Sequence, residues 1–87
     1  MPPSVVSPQG DYFIQVNSYS EKRFADAFAR DLRNKGYRAF VEASDVPGFG
    51  RMYRVKVGFY IDEDAASKDY HNLRLLLKKE DIFVDRR

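Results

Sequence analysis

Cysteine is absent from this 87-residue chain, and histidine occurs only once. Without thiols the fold cannot rest on disulfides or on a thiolate metal site. The compartment stays open, because an exported domain with a sufficient core folds without such bridges. The lone histidine, His71, falls within a predicted helix and has no recognisable nucleophile as a partner, so the sequence argues against an enzyme.

The chain also lacks a strong charge of one sign and a long apolar run. Fifteen basic and thirteen acidic residues leave a net charge of +2. Because these charges are interspersed, the sequence does not predict the basic stripe of a dedicated nucleic-acid clamp. No segment is long and apolar enough to cross a membrane. We therefore expect no metal, no cofactor, no nucleic-acid partner and no membrane contact by this domain itself.

The first ten residues, MPPSVVSPQG, are rich in proline and serine. They have neither the basic start nor the apolar centre of a signal peptide. We expect residues 1–10 to be a linker or a vector-derived tail, and residues 11–87 to be one domain of a longer protein. A domain of this size buries only about 60% of its unfolded surface, so its core has to be compact.

The remaining sequence switches between alternating and helical spacing in the order β-α-β-β-α-β. Strands are predicted over 11–17, 37–43, 51–60 and 81–85. Ser20 and Asp62 are the predicted N-caps of the two helices, and Gly36 is predicted to end the first helix. This order predicts an α+β fold of the split β-α-β, ferredoxin-like or RNP-like type. In such a fold two helices cover one face of a four-stranded antiparallel sheet.

The spacing of apolar residues predicts which side chains form the core. The expected members are Ile14, Val16, Phe24, Phe28, Leu32, Val55, Val57, Leu73 and Leu77. On the first strand Phe13, Gln15 and Asn17 alternate with the core positions and should point to the other face. Phe40 can face either way, because the second strand alternates ambiguously.

Polar side chains of the first and third strands should meet on the uncovered face if these strands pair. Gln15 would then lie beside Arg54 and Lys56. From the pattern alone, Gln15 can equally be a solvated residue and the two basic residues solubilising charges. Ser18 can equally be a turn residue that helps to start the helix.

Three segments resemble, in this order and spacing, the SPOR domain, a sporulation-related repeat that binds bacterial peptidoglycan. They are YFIQVNSYS, FADAFARDLRNKGYRAFVE and YRVKVGFYIDEDAA, and the resemblance extends from Tyr12 to Val84. It implies a non-catalytic, periplasmic domain of a cell-envelope protein. Its implied partner is glycan strands that lack stem peptides, which accumulate at the septum during cell division. We expect the domain to be monomeric.

The resemblance also implies which residues contact the ligand. Gln15 and Ser18 match the polar pair of the family's first strand, and Arg54 matches the arginine of its third strand. Met52 occupies a position that is often aromatic, and Asn17 stands where glycine is usual. Phe13 and Lys56 are not part of this match but flank it on the same face, and with them the expected ligand-binding set is Phe13, Gln15, Ser18, Met52, Arg54 and Lys56.

The chemistry of these side chains suits such a ligand. The amide of Gln15 offers both a donor and an acceptor, as does each acetamide of the glycan. Removal of a stem peptide leaves the lactyl group of muramic acid as a free carboxylate, which Arg54 can hold by two parallel hydrogen bonds.

An RNA-recognition module is the alternative interpretation. It has the same strand order and places aromatic side chains on its first and third strands, where they stack on bases. Phe13 fits this arrangement. The outward positions of the third strand do not, because Met52, Arg54 and Lys56 include no ring.

Overall fold

The computed structural model describes residues 10–87. The expected linker or tail therefore lies outside the described residues, apart from Gly10. The elements are β1 (Tyr12–Tyr19), α1 (Lys22–Asn34), β2 (Ala39–Val46), β3 (Gly50–Tyr60), α2 (Glu63–Leu77) and β4 (Phe83–Arg86). The strands form one antiparallel sheet in the order β2-β3-β1-β4. The predicted fold class and the pairing of the first and third strands are confirmed.

Of the three helix ends predicted from the sequence, two are confirmed and one is wrong. Asp62 caps α2, since its carboxylate accepts a hydrogen bond from the backbone N–H of Ala65 at 2.8 Å. Gly36 follows α1 with φ of 98°, a backbone conformation that glycine adopts without steric cost. The prediction of Ser20 as the N-cap of α1 is wrong. The cap position belongs to Glu21, whose side chain makes no capping hydrogen bond.

The β2–β3 hairpin is longer than the sequence predicts. The turn between the strands is confined to residues 47–49, and β2 extends to Val46.

No helix among residues 10–87 is long and apolar enough to span a membrane.

The core lies between the two helices and one face of the sheet. Six of the predicted members are buried there: Ile14, Val16, Leu32, Val55, Val57 and Leu73. Phe28 and Leu77 are partly buried and pack against this cluster. Phe24 is 49% exposed, so its assignment to the core is wrong.

Phe24 is exposed because α1 contacts the sheet through a different row of side chains. That row is Ala25, Ala29 and Leu32, whose spacing puts them on one side of the helix. Because alanine is small, the helix can lie close to the strands at these points. Phe24 is thereby turned to the helix flank, where its ring centroid lies 6.4 Å from that of Tyr19.

Candidate functional site

The face of the sheet opposite the helices carries side chains from all four strands. We call it the helix-free face and define it by the residues that alternate with the core positions and pair across the strands. Its members are Phe13, Gln15, Ser18, Phe40, Glu42, Ser44, Met52, Arg54, Lys56, Phe83 and Asp85. All six residues of the predicted ligand-binding set lie on it.

Ser18 reaches this face through a β-bulge in β1. Gln15 pairs with Lys56, whereas Asn17 pairs with Val55, so one extra residue is inserted between them. Strict alternation from Ile14 and Val16 would have turned Ser18 toward the helices. With the bulge, Ser18 instead lies opposite Arg54.

Asn17 is consequently not on the helix-free face, contrary to the prediction from alternation. It lies opposite the buried Val55, and its amide nitrogen donates to the Tyr19 hydroxyl at 2.9 Å. The ring of Tyr19 packs against Phe28 of α1. The backbone at Asn17 is not left-handed, because Lys78 is the only non-glycine residue of 10–87 with positive φ.

A cavity of about 260 Å³ opens at the bulge. Gln15, Asn17 and Ser18 line it from β1, and Asp81 lines it from the segment before β4. The Asp81 carboxylate is ion-paired with the Lys79 ammonium at 3.3 Å. Amide, hydroxyl and carboxylate groups thus converge on one small recess, a combination that suits a ligand with hydroxyl and amide groups. Sequence reasoning missed Asp81, because no local spacing links it to β1.

Arg54 lies in the middle of the helix-free face. It is half-buried and is the direct cross-strand partner of both Ser18 and Glu42. Nevertheless its guanidinium makes no ion pair with any residue of 10–87. A planar, permanently charged group is therefore available to an anion beside the cavity at Gln15 and Ser18.

The sequence suggests that Lys56 is exposed on the helix-free face, but the structure buries it. It is only 7% exposed, and its ammonium lies 2.7 Å from Oε1 of Glu42. The same ammonium sits 4.3 Å from the centroid of the Phe13 ring. Lys56 is thus packed into the face rather than projecting from it.

Aromatic side chains fill one end of the helix-free face. A second bulge, at Phe59 in β3, directs this ring to the helix-free face, where it contacts Phe13 edge-on and Phe40 at 5.2 Å between centroids. Phe13 itself is only 7% exposed. These rings pack mainly on one another, which is unlike a row of exposed rings that stacks bases.

A cavity of about 560 Å³ lies beside these rings, where the end of α1 approaches the start of β2. Its lining includes Phe40, Phe59, Tyr37, Arg33 and Arg38. Sequence reasoning placed none of these except Phe40 near the face, because the bulge that turns Phe59 outward has no local signal.

Met52 extends the helix-free face beyond Arg54, opposite Ser44 of β2. It is half-buried and offers a flexible apolar surface.

Within residues 10–87 no three His, Asp or Glu side chains are grouped to hold a metal ion.

Comparison with protein families decides the relationship of this chain. The family model of the SPOR domain matches residues 8–84. The chain belongs to the SPOR domain family. No curated protein and no solved structure matches it significantly.

Membership carries the general properties of the family. SPOR domains are non-catalytic modules that bind peptidoglycan and are associated with cell division. They belong to proteins of the bacterial cell envelope. The SPOR match begins at residue 8, so it includes the last residues of the segment that the sequence assigned to a linker or tail.

Proposed function

We propose that this SPOR domain binds peptidoglycan glycan strands from which the stem peptides have been removed, and that the helix-free face is the binding surface. The observation that carries the proposal is the free guanidinium of Arg54 beside the polar cavity of Gln15 and Ser18. A stripped strand presents hydroxyls, acetamides and lactyl carboxylates. The amide and hydroxyl match the first two groups, and Arg54 matches the carboxylate.

The other members of the predicted set have graded roles in this proposal. Met52 covers a sugar face by dispersion contacts. Phe13 supports the surface from below, because it is buried under the ring of Phe59 and the ammonium of Lys56. Asp81, which lies outside the predicted set, adds acceptors for sugar hydroxyls at the cavity wall.

The proposal includes where and in what form the domain acts. We propose a monomer in the periplasm at the division septum, with no membrane contact and no nucleic-acid ligand of its own. Sedimentation of the purified domain tests the monomeric state. Competition with single-stranded RNA tests the nucleic-acid alternative, and binding to RNA but not to sacculi would contradict the glycan proposal.

The central experiment is a pull-down with purified cell-wall sacculi, with and without prior amidase treatment. Amidase removes stem peptides, so we expect more domain to bind to the treated sacculi. Equal binding to both would contradict selectivity for stripped strands.

Arg54→Ala tests the binding surface directly. Loss of a charged contact costs about 1.5–3 kcal/mol, which corresponds to a drop in affinity of about tenfold to hundredfold. Thermal unfolding should change little, since Arg54 holds no ion pair in the fold. Arg30→Ala is the matched control, because Arg30 is an exposed residue of α1 and its loss changes the net charge equally. If Arg54→Ala binds treated sacculi as well as Arg30→Ala does, the surface is wrongly assigned.

A further inference from the structure

The ion pairs on the helix-free face are distributed unexpectedly. Glu42 and Arg54 are direct cross-strand partners, and opposite charges in such positions normally attract each other. Glu42 instead gives its carboxylate to Lys56, which lies two residues further along β3 and is its diagonal neighbour. Glu42 therefore forms its ion pair with Lys56 and not with Arg54, its direct cross-strand partner.

Burial explains why Glu42 pairs with the diagonal lysine. The side chain of Lys56 is 9% exposed, whereas that of Glu42 is 52% exposed. A buried ammonium without a counter-charge is costly, while a guanidinium at the surface can remain solvated. The face of Phe13 contributes further to holding the ammonium in place. The Glu42 carboxylate therefore pairs with Lys56, because the buried ammonium would lose more free energy than Arg54 without a counter-charge.

We infer that Lys56 is a positioning residue that keeps Arg54 available for an anionic ligand by occupying Glu42. This inference rests on the proposed function and deepens it: Lys56 contributes to binding without touching the glycan. In its absence, Glu42 would turn to its direct cross-strand partner, and the Arg54 guanidinium would be neutralised before any carboxylate arrives.

The test compares Lys56→Met with the double variant Lys56→Met/Glu42→Gln. In the single variant Glu42 is released, so binding to amidase-treated sacculi should fall by about tenfold, approaching the level of Arg54→Ala. In the double variant no carboxylate remains to capture Arg54, and binding should recover although Lys56 is still missing. A purely structural role of Lys56 predicts no such recovery.

A second readout does not depend on the ligand. NMR of the Arg54 side chain should detect a new contact with Glu42 in Lys56→Met that the unaltered protein lacks. If the unaltered domain binds no sacculi but this contact forms, the proposed function fails and the charge arrangement stands. If Lys56→Met binds as well as the unaltered domain, or if the double variant does not recover, the inference is overturned. Should Lys56→Met not fold, Lys56→Gln, which keeps a donor without the charge, serves for the same comparison.

Discussion

Single side chains on the helix-free face differ in what they can contribute to binding. Arg54 offers a charge, whereas Gln15 offers neutral hydrogen bonds at the wall of a cavity. Neutral bonds are worth less, because the ligand exchanges them with water at nearly equal strength. The surface should therefore show a ranking of effects rather than equal contributions.

Gln15→Ala tests this ranking. We expect a loss of about 0.5–1.5 kcal/mol in the free energy of binding to amidase-treated sacculi, smaller than that of Arg54→Ala. Asn72→Ala removes an amide from an exposed position of α2 and is the matched control. A loss for Gln15→Ala larger than that for Arg54→Ala would mean that the amide, rather than the guanidinium, dominates recognition.

Among the elements, α1 shows how small residues set the distance between a helix and the sheet. Ala25 and Ala29 are completely buried against the strands, while the larger Phe24 and Phe28 lie toward the flank. The approach of α1 is thus limited by methyl groups. A residue larger than alanine at position 25 or 29 therefore does not fit between α1 and the strands.

Ala29→Leu should accordingly destabilise the domain. Overpacking a filled core costs about 1–3 kcal/mol, even though leucine is a good helix former. Ala27→Leu makes the same chemical change on the exposed side of α1 and should alter stability by less than about 0.5 kcal/mol. Urea unfolding of both variants measures the difference. Equal stability of the two variants would show that α1 can move away from the sheet at no cost.

The extent to which sequence could predict these elements depends on whether the signal is local. Alternation in β1 and β3 predicted Ile14, Val55 and Val57 in the core, because each strand carries its own period. The bulges at Val16 and Phe59 depend on how two distant strands pair, so neither leaves a local pattern. The position of Ser18 came from family resemblance, and the bulge supplies its physical reason.

For the whole molecule, a buried hydrogen bond links the sheet to α2. The hydroxyl of Tyr60, at the end of β3, donates to the carboxylate of Asp69 in α2. Burial, followed by this hydrogen bond and the charge of Asp69, raises the pKa of Tyr60 well above its ordinary value. Burial and the same carboxylate also raise the pKa of Tyr37. Tyr60 therefore keeps its phenol proton to a clearly higher pH in the folded protein than in the unfolded chain, and Tyr37 follows the same direction.

These raised pKa values predict how stability depends on alkaline pH. Below the unfolded-state pKa of about 10, both states keep the phenol protons and the stabilisation is complete. Above it, the unfolded chain loses protons that the folded protein retains. The free energy of unfolding should then fall by about 1.4 kcal/mol per pH unit for the Tyr60 phenol, and Tyr37, which is less deeply buried, adds less to this decline. Denaturant unfolding between pH 8 and about pH 11.5 measures this slope.

Tyr60→Phe should change this profile in two ways. It should lower stability near neutral pH by about 1.5–3 kcal/mol, because a hydrogen bond to a charged group is lost. It should also make the alkaline decline shallower, since one titrating phenol is gone. Tyr70→Phe is the control, because the Tyr70 hydroxyl makes no hydrogen bond within residues 10–87. An unchanged slope in Tyr60→Phe would exclude Tyr60 as a source of alkaline unfolding.

The bulge in β1 amounts to a one-residue insertion in an otherwise regular strand. If β1 kept its length but lost the bulge, so that Val16 paired with Val55, every residue that follows would exchange faces. Ser18 would turn toward the helices, and Tyr19 would leave its place against Phe28. Anyone who grafts this surface onto a regular strand must therefore either carry the bulge over or leave out its extra residue, Val16.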